Sequence, residues 1–574
     1  MTNVLGIHGF SATSKQHLHD TGAAIIKDGE VIAAVNEERM TRIKTDGSFP
    51  FETIKTIFEI TNLTPKDIDY IAFSDERPLW QLLNIGKYIL KTYKKSGVFL
   101  YKYILESIER SMDINREPPN NLKNKPIVFV EHHKAHASSA FFTSPWKRAT
   151  IITLDGMGDY CIGGTVGLGS NGGIKILKRT NGFFSPGIFY MIVTSYLGFK
   201  PGRHEGKVTG LAAYGDPNKA YSSMKRIISY DDASLDFYSE IIPTALNRFS
   251  LTKNESYTLE LFEKLWDGYD KADIAAAAQK RLEDIVLPFI RDAVRITAEP
   301  KLAVAGGVFA NVKLNKMIME LPEVENIYVH PNMGDGGLAT GAALFCWNQI
   351  SKNRENKTRF MKTCYLGPKY GEVSIKNALK KADLKWKKIA EPEKSIANYI
   401  AEGHIVGHYY GRMEYGPRAL GNRSILASPT DPLLNKRLNE RLKRTEFMPF
   451  APSILEEYAH EYLKDWKTNH FASRFMTICY DVKDIFKKKA PAAVHIDGTA
   501  RPQIVRANDN PRFYKIIKEF YKITGIPLVV NTSFNMHEEP IICTPEDAIR
   551  DFMWNSIDIL FIDNYALVNK NITV

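Results

Sequence analysis

Short apolar segments that run directly into glycine-containing turns most restrict what this chain can fold into. The segments are residues 149–154, 302–305 and 327–330. Asp155 follows the first segment, Gly306 follows the second, and Asp335 follows the third within a glycine cluster. Strand, glycine turn and helix in this order are typical of α/β folds that bind nucleotides, because glycine lets a ligand approach the backbone closely. We therefore expect an α/β fold.

The length of the chain predicts more than one domain. Its 574 residues, of which 44% are hydrophobic, exceed what one hydrophobic core normally organises. A polar and charged stretch at 348–358 has the composition of a linker. We expect a first domain at 1–358 and a second at 359–574, without an internal sequence repeat.

The charge of the chain favours small anionic ligands. The net charge is +11, and the lysine-rich stretches are short and dispersed, so ATP and phosphates are favoured over nucleic acid. Five scattered cysteines without a CxxC pair predict a reducing, cytoplasmic location. An uncharged run at 180–199 contains proline, glycines and hydroxyls, which favours a buried core helix over a membrane span.

Two histidines four residues apart indicate a metal site. His132 and His136 would lie on one face of a helix, one turn apart. Asp155 and Asp335, each beside glycine, could complete the coordination shell. Two imidazoles and two carboxylates suit Fe(II), Mn or Zn, and composition does not choose among them. The alternative is that the histidines are ordinary polar residues of a packed helix.

A second group of polar residues is rich in arginine. The run 411–424 contains three arginines among glycine and proline, which predicts a rigid loop whose guanidinium groups bind an oxyanion. Lys443 and the segments 495–501 and 531–535 are further polar clusters that lie where α/β proteins bind ligands. The alternative for each is surface ion pairing and turn formation.

Taken in order along the chain, these motifs resemble the NodU/CmcH/TobZ-type O-carbamoyltransferase family over nearly the whole length. The matching motifs are His19-Asp20 with Glu37-Glu38-Arg39, HHKAHA at 132–137, LDGMG at 154–158, EGKVTGLAAYG at 205–215, AGGVFAN at 305–311, GDGGLATGAA at 334–343, GRMEYGPRALGNRS at 411–424, MPFAPS at 448–453, HIDGTARPQ at 495–503 and NTSFN at 531–535. Thr445 and Met448 stand where many members carry arginine. The resemblance implies an actin-like, TsaD-like ATPase domain followed by a YrdC-like α/β domain.

The resemblance also implies three sets of site residues. The metal ligands would be His132, His136, Asp155 and Asp335. The nucleotide would contact Gly156, Lys207, Gly210, Gly306, Gly307 and Asn311. Carbamoyl phosphate would contact Arg418, Arg423, Lys443, Arg501, Asn531 and Ser533.

The reaction implied by the resemblance uses ATP, accompanied by Mg, and carbamoyl phosphate as co-substrates. Carbamoyl phosphate is converted to carbamate, carbamate attacks ATP to form carbamoyl-adenylate, and a hydroxyl of a small molecule, natural product or sugar takes the carbamoyl group. The expected metal is iron(II), with manganese and zinc as alternatives. Asp20 is the candidate for orienting or deprotonating the acceptor hydroxyl, and His19 is its alternative.

Two other functions remain open from the sequence. One is a tRNA-modifying threonylcarbamoyl enzyme, for which the positive charge would serve RNA binding. The other is a non-catalytic, actin-like ATP-binding partner. We expect no nucleic acid and no membrane among the ligands, and self-association, if it occurs, would give a homodimer.

Overall fold

The structure is a computed structural model, which describes residues 1–9, 19–74, 118–170, 172–241, 262–351, 359–444 and 449–569. The chain forms two compact units. The N-terminal unit comprises Met1–Ile32, Asp46–Ile54 and Leu63–Met361, and the C-terminal unit comprises Ala33–Thr45, Lys55–Asn62 and Lys362–Val574. The sequence predicted a boundary at 358/359. The structure places it after Met361 and also assigns two early segments to the C-terminal unit.

The first sheet contains five strands in the order β3-β2-β1-β4-β5. These are β1 (Asn3–His8), β2 (Gly22–Lys27), β3 (Glu30–Asn36), β4 (Tyr70–Ser74) and β5 (Ile127–Val130). Strand β1 is antiparallel to β2 and parallel to β4, and β4 is parallel to β5. Asp28 (φ 49°) and Gly29 (φ 86°) form the turn between β2 and β3, as the Asp-Gly pair predicts for a tight hairpin.

The second sheet repeats this topology. Its strands β6 (Arg148–Leu154), β7 (Ile162–Ser170), β8 (Gly173–Asn181), β11 (Lys301–Ala305) and β12 (Asn326–Val329) lie in the order β12-β11-β6-β7-β8. When each sheet's strands are numbered separately, both sheets have the order 3-2-1-4-5. Strands β9 (Ser229–Asp231) and β10 (Asp236–Tyr238) form a separate hairpin. Two such sheets are the arrangement of an actin-type ATPase domain, so the expected actin-like α/β fold is confirmed.

Among the described residues up to 361, the helices are α1 (Glu38–Thr41), α2 (Phe51–Thr61), α3 (His132–Thr143), α4 (Pro186–Tyr196), α5 (Glu205–Leu211), α6 (Tyr221–Ile227), α7 (Lys271–Thr297), α8 (Val312–Met319) and α9 (Leu338–Ile350). Small residues let α3 and α9 pack closely: a Cβ added at Gly341 would lie 1.9 Å from the carbonyl oxygen of Ala135. This contact fixes the helix that carries the histidine pair against the helix that follows Asp335.

The strands predicted at 149–154, 302–305 and 327–330 are present as β6, β11 and β12, but the predicted helix at 180–199 differs from the structure. The run 180–199 is not one helix, because β8 continues to Asn181 and α4 begins only at Pro186, capped by the Ser185 hydroxyl. Asp335 lies in a short 3-10 turn, and the α-helix begins at Leu338. Residues 352–358 of the predicted linker, as well as Thr445 and Met448, lie outside the described residues.

The C-terminal unit contains an eight-stranded mixed sheet in the order β13-β22-β21-β14-β15-β20-β16-β19. Its strands are β13 (Lys387–Lys388), β14 (Val406–Tyr409), β15 (Arg423–Ala427), β16 (Ala451–Leu455), β19 (Gln503–Val505), β20 (Leu528–Ser533), β21 (Ile559–Ile562) and β22 (Tyr565–Val568). Strands β17 (Tyr480–Asp481) and β18 (Thr499–Ala500) pair separately. The helices are α10 (Glu372–Lys381), α11 (Pro392–Ala401), α12 (Leu434–Leu442), α13 (Ala459–Tyr462), α14 (Asp484–Lys489), α15 (Pro511–Thr524) and α16 (Pro545–Met553). The YrdC-like assignment of this unit stays a prediction.

Helix α15 illustrates how local sequence builds this unit. The Asn510 side chain caps its first turn, Pro511 occupies the first helical position, and Gly525 (φ 69°) ends it in the left-handed conformation. The residues at 513, 516, 517 and 520 are buried, which is the spacing of one helix face. Burial of each of these Phe and Ile side chains contributes about 1.5–3 kcal/mol. In the described part of the chain, no helix combines the length and apolar character needed to cross a bilayer.

Candidate active site

Four predicted metal ligands meet in the N-terminal unit. His132 and His136 lie on the first turns of α3, Asp155 directly follows β6, and Asp335 precedes α9. One ligand atom from each residue lies within 4.8 Å of the others. The His136 Nε2 atom is 3.1 Å from Asp155 Oδ2 and 3.5 Å from Asp335 Oδ1, and the His132 Nε2 atom is 3.7 Å from Asp335 Oδ1. The spacing predicted from the helix period is confirmed.

The electrostatics of the cluster are dominated by charges in a buried space. Burial opposes the charged form of His136, but the two carboxylates outweigh it and raise the pKa of His136. Burial likewise opposes ionisation of Asp155, whereas hydrogen bonds from both histidines hold the pKa of this carboxyl well below its usual range. Asp335 also has a lowered pKa. Two ionised carboxylates in a buried site require positive charge beside them.

Main-chain groups fix the orientation of the ligands. Gly156 N–H donates to Asp155 Oδ1 at 2.6 Å, and Gly307 N–H donates to Asp155 Oδ2 at 3.2 Å. A Cβ added at Gly158 would lie 2.5 Å from the ring of His132, so the LDGMG turn must approach that ring without a side chain. These contacts hold the cluster in one geometry.

The middle histidine of the motif has a different role. His133 makes hydrogen bonds to the Thr153 hydroxyl through Nδ1 and to the Ile162 carbonyl through Nε2, both at 2.8 Å. Burial and the two neighbouring histidines lower its pKa to about 3, so it is neutral. It therefore joins α3 to β6 and is directed away from the cluster.

The two catalytic candidates lie beside the cluster. His19 Nε2 is 3.8 Å from Asp335 Oδ2, and His19 Nδ1 is 3.1 Å from Asp20 Oδ2. The charge of Asp335 is the largest effect on His19, whose pKa is raised to about 10. The side chain of His19 is about half exposed, and Asp20 has a positive φ of 60°. Of the two residues, His19 is the one that contacts a ligand carboxylate.

The predicted nucleotide segments also lie together in the N-terminal unit. Gly306 has φ 108°, and a Cβ there would lie 2.2 Å from the Leu154 carbonyl oxygen, so only glycine fits this turn. Gly307 joins the turn to the metal cluster through Asp155. Lys207 and Gly210 are buried in α5, next to Thr209, whose hydroxyl receives a hydrogen bond from Asn311 at 3.3 Å.

Asn311 is held by the protein itself. Its Oδ1 caps α8 by accepting from Leu314 N–H at 3.0 Å, and its amide donates to Gln279 Oε1 at 2.7 Å. Tyr190 O–H donates to the same Gln279 oxygen at 2.8 Å. Burial raises the pKa of Tyr190, so its hydroxyl stays protonated. The arrangement makes Asn311 part of the scaffold of this loop, and its direct contact with a nucleotide stays a prediction.

In the C-terminal unit, Arg418 of the predicted oxyanion loop lies near the charge of Arg501, which follows β18. Burial lowers the pKa of Arg418 well below its usual range, and the nearby charge of Arg501 lowers it further. The Nε atom of Arg418 is buried, and no described residue accepts a hydrogen bond from it. Asn531 donates to the Ala419 carbonyl and to Ser453 Oγ, and its buried Oδ1 has no partner among the described residues. The positive charge of Arg501 near Arg418 and the unpartnered polar atoms of Arg418 and Asn531 make this a suitable place for an anion.

Arg423 occupies a different environment from Arg418. It is fully buried and donates to five main-chain carbonyls, of Pro368, Tyr410, Gly411, Asn422 and Cys543, at 2.8–3.4 Å. Its guanidinium also stacks on the Tyr409 ring at 3.7 Å. These contacts give Arg423 a structural role at the base of the loop. Its Nε, Nη1 and Nη2 groups already donate to main-chain carbonyls, which leaves no donor for the predicted contact with carbamoyl phosphate.

Lys443 and its neighbour Arg444 differ in exposure and in their contacts. Lys443 is exposed and ends α12 in the left-handed conformation (φ 56°). The next residue, Arg444, instead donates to Thr532 Oγ1 at 3.0 Å, to Ser533 Oγ at 3.2 Å and to Asn535 Oδ1 at 3.1 Å. The structure therefore brings Arg444, rather than Lys443, to Ser533.

Comparison with known proteins decides the family. The sequence model described as carbamoyltransferase N-terminus matches residues 11–344, and the model described as carbamoyltransferase C-terminus matches residues 397–570. The chain belongs to the carbamoyltransferase family. An uncharacterised protein of Methanocaldococcus jannaschii is 35% identical over 99% of this chain and 100% of its own length. The nodulation protein NolNO of Sinorhizobium fredii is 32% identical over 96% of this chain and 79% of its own length.

The family resemblance inferred from the motifs is thus confirmed, and the protein is a carbamoyltransferase enzyme. Among solved structures, component A of the (R)-2-hydroxyglutaryl-CoA dehydratase of Acidaminococcus fermentans aligns with 61% of this chain and 99% of its own, at 17% identity and a TM-score of 0.33.

The donor set of this carbamoyltransferase fits a divalent metal. Metal–ligand bonds of about 2.0–2.2 Å place neighbouring donor atoms roughly 3–3.5 Å apart in tetrahedral or octahedral shells. The closest distances in the cluster, 3.1 Å and 3.5 Å, lie in that range. Imidazole and carboxylate donors suit iron(II), manganese and zinc alike.

Several residues that contact the candidate site residues carry no prediction from the sequence. Tyr190, Thr209 and Gln279 surround Asn311, and Arg444 contacts Ser533. Thr209 lies within a recognised motif and Arg444 is adjacent to Lys443, so both had a positional signal. Tyr190 lies in the apolar helix α4 and Gln279 in the long helix α7, where nothing in the sequence pattern distinguishes them.

Proposed function

We propose that this carbamoyltransferase is an ATP-dependent O-carbamoyltransferase that uses carbamoyl phosphate through a carbamoyl-adenylate intermediate. The observation that carries the proposal is that this chain holds both a His/Asp cluster next to a glycine turn and, in the C-terminal unit, an Arg418 whose buried Nε has no acceptor among the described residues and which lies near the like charge of Arg501. The first suits a metal and a nucleotide, and the second suits a phosphate-bearing co-substrate. The acceptor is a hydroxyl of a small molecule, natural product or sugar.

The C-terminal unit would bind carbamoyl phosphate. Arg418 and Arg501 supply positive charge and N–H donors to the phosphate group, as guanidinium groups do for oxyanions. The Oδ1 atom of Asn531, which has no described partner, is an acceptor suited to the carbamoyl NH2 group. Water attacks carbamoyl phosphate, the bond to phosphate breaks, and carbamate and inorganic phosphate form.

The N-terminal unit would carry out adenylation and transfer. A carbamate oxygen attacks the α-phosphorus of ATP and pyrophosphate leaves, which gives the carbamoyl group a good leaving group. The turn at Gly306 and Gly307 offers backbone N–H groups to the nucleotide. When bound, the metal supplies Lewis-acid stabilisation of negative charge. His132, His136, Asp155 and Asp335 would hold it.

Transfer to the acceptor needs a base. The acceptor oxygen attacks the carbamoyl carbon, AMP departs, and the hydroxyl proton must be taken up. His19 is placed beside Asp335, and its Nδ1 contacts Asp20. We assign proton uptake to Asp20 and its orientation to His19, because the charge of Asp335 raises the pKa of His19 to about 10 and keeps its imidazole protonated.

The test is a reaction without acceptor. Purified protein is incubated with ATP, Mg and carbamoyl phosphate, with iron(II), manganese or zinc added in turn, and the products are analysed by mass spectrometry. We expect pyrophosphate and carbamoyl-adenylate, and we expect both to disappear in Arg418→Ala. Arg437→Ala, which removes an exposed arginine paired with Asp431, is the matched control and should retain both products. Formation of ADP and phosphate instead of pyrophosphate would contradict the proposal.

A further inference from the structure

The Glu37-Glu38-Arg39 motif near the N-terminus has no role in the reaction described above. Helix α1 follows β3, and the segment 33–45 is part of the C-terminal unit. Two of its arginines, Arg39 and Arg42, bind main-chain carbonyls that lie several hundred residues later in the chain. Arg39 donates to the Gly416 carbonyl and Arg42 to the Ile541 carbonyl, and this difference in acceptors indicates the role of Arg39.

Arg39 contacts the oxyanion loop. Its Nη2 donates to the Gly416 carbonyl at 2.7 Å, two residues before Arg418. Gly416 has φ 105°, and Pro417 follows it with a ring that fixes its own φ. Because the carbonyl of Gly416 belongs to the peptide bond that joins it to Pro417, fixing this oxygen fixes the direction in which the chain enters Arg418.

Glu414 holds the C-terminal end of the same loop. One carboxylate oxygen, Oε1, accepts hydrogen bonds from the amides of Leu420 at 2.9 Å, Asn422 at 2.7 Å and Arg423 at 3.1 Å. Glu414 anchors the end of the loop that leads into β15, whereas Arg39 anchors the end that leads into Arg418. Between these two anchors lies the side chain that would bind the phosphate group.

The surroundings of Arg39 are unusual for a residue that serves stability alone. Its side chain is only 4% exposed, and its Nη1 has no hydrogen-bond acceptor among the residues the structure describes. Burial lowers the pKa of Arg39, while the charges of Glu38 and Glu414 raise it. Glu38 Oε1 lies 3.3 Å from Arg39 Nε and keeps the guanidinium oriented. A buried ion pair of this kind contributes little net stability compared with apolar residues of similar size.

We infer that Arg39 is a positioning residue for the oxyanion loop: through the Gly416 carbonyl it holds Arg418 in the orientation that binds the phosphate group of the co-substrate. The inference rests on the proposed function for the identity of that co-substrate. It adds a residue from the first 40 positions of the chain to the binding site of the C-terminal unit.

Arg42 is the matched control within the same segment. It lies three residues after Arg39 and donates to the carbonyls of Ile541 at 2.7 Å and Pro540 at 2.8 Å, with Glu539 and Asp547 nearby at 3.5 Å. Both arginines therefore join the segment 33–45 to later main chain, but only Arg39 does so at the oxyanion loop. A purely structural role for the segment would make the two substitutions equivalent.

The experiment compares the full-length protein with Arg39→Met, Arg39→Lys and Arg42→Met. Calorimetry measures the Kd for inorganic phosphate and for carbamoyl phosphate. We expect Arg39→Met to weaken both by about tenfold, the effect of losing one charge-assisted hydrogen bond. The KM for carbamoyl phosphate should rise by a similar factor, with kcat and the KM for ATP unchanged. Arg39→Lys should recover most of the loss, and Arg42→Met should leave both affinities at the wild-type value.

Hydrogen exchange tests the loop itself. In Arg39→Met, amide exchange should accelerate in 416–423, whereas in Arg42→Met it should accelerate in 539–543. This measurement needs no substrate, so it judges Arg39 even if the wild-type protein fails to bind carbamoyl phosphate, a result that would refute the proposed function instead. Equal phosphate affinity in folded Arg39→Met and wild type, or equal effects of Arg39→Met and Arg42→Met on the loop, would overturn the inference.

Discussion

The two candidate binding regions differ in the sign of their charge and in how the fold builds them. The His/Asp cluster of the N-terminal unit places two carboxylates and two imidazoles around one point, which suits a cation. The arginine loop of the C-terminal unit places Arg418 beside Arg501, which suits an anion. Ligands of the first region come from regular elements or their ends, whereas Arg418 lies on an irregular loop that other side chains hold in place.

This difference predicts which substitutions should change each site. The backbone of a metal ligand on a helix is held by the hydrogen bonds of that helix. Substituting such a residue should therefore remove one metal ligand and leave the other ligands in place. A loop arginine depends on contacts such as those of Glu414 and Arg39, so its geometry can be changed from a distance. The predictions below test this contrast with pairs of neighbouring residues.

The largest effect is expected from His136→Ala. Loss of one of four ligands should reduce metal affinity, and with it carbamoyl transfer, by about 100-fold or more. Metal content of the purified protein, measured by mass spectrometry, checks the first part. His133→Ala is the control, because His133 bonds to Thr153 and Ile162 and not to the cluster. It should cost about 1–3 kcal/mol of stability and retain the metal. Equal metal loss in both variants would mean that α3 carries no specific ligand set.

The second prediction compares two arginines of one loop. Arg418→Met should weaken phosphate binding by about 100-fold while the melting temperature changes little, since Arg418 has a buried Nε without a described partner. Arg423→Met should do the reverse and lower the free energy of unfolding by about 3–5 kcal/mol, because five carbonyls lose their donor. Calorimetry and denaturant unfolding separate the two effects. A folded Arg423→Met that binds phosphate no better than Arg418→Met would make Arg423 a direct ligand.

A third, smaller effect is expected from Arg444→Met. Arg444 holds Ser533 and Asn535 at the end of β20, so its loss should weaken phosphate binding by about tenfold. Lys443→Met, which removes the exposed neighbouring cation, should have little effect on the Kd at moderate salt. If Lys443→Met has the larger effect, the lysine side chain reaches the anion when the ligand is bound, as the family resemblance implied.

These pairs also show how far sequence alone can predict the site. The helix period fixes that residues four apart share a face, so His132 and His136 could be placed from spacing. Acids beside glycine at strand ends gather at one edge of an α/β sheet, so Asp155 and Asp335 could be placed from topology. The structure brings the four side chains together, and their role as metal ligands stays a prediction.

The remaining features depend on contacts between distant parts of the chain. The carbonyl cage of Arg423 forms only when residues near 368, 410 and 543 meet, and the contact of Arg39 with Gly416 spans 377 positions. The choice between Lys443 and Arg444 depends on where α12 turns into the left-handed conformation. Neither the periodicity nor the composition of the sequence predicts these contacts or the residue at which α12 ends. The assignment of residues 33–45 to the C-terminal unit was missed for the same reason.

The smallest predicted effect concerns two glycines that each stand next to a metal-ligand acid. A Cβ at Gly307 would lie 3.1 Å from Asp155 Oδ1, tighter than ordinary contact, so Gly307→Ala should push this carboxylate by a few tenths of an ångström. We expect metal affinity to fall by about threefold to tenfold, measured by competition with a chelator. Gly334→Ala, beside Asp335 and with no atom within 4 Å of the added Cβ, should leave the affinity unchanged. Phosphate affinity should stay at the wild-type value in both variants, because neither substitution touches the arginine loop. If Gly307→Ala weakened phosphate binding as strongly as metal binding, the two regions could not be treated as separately built sites.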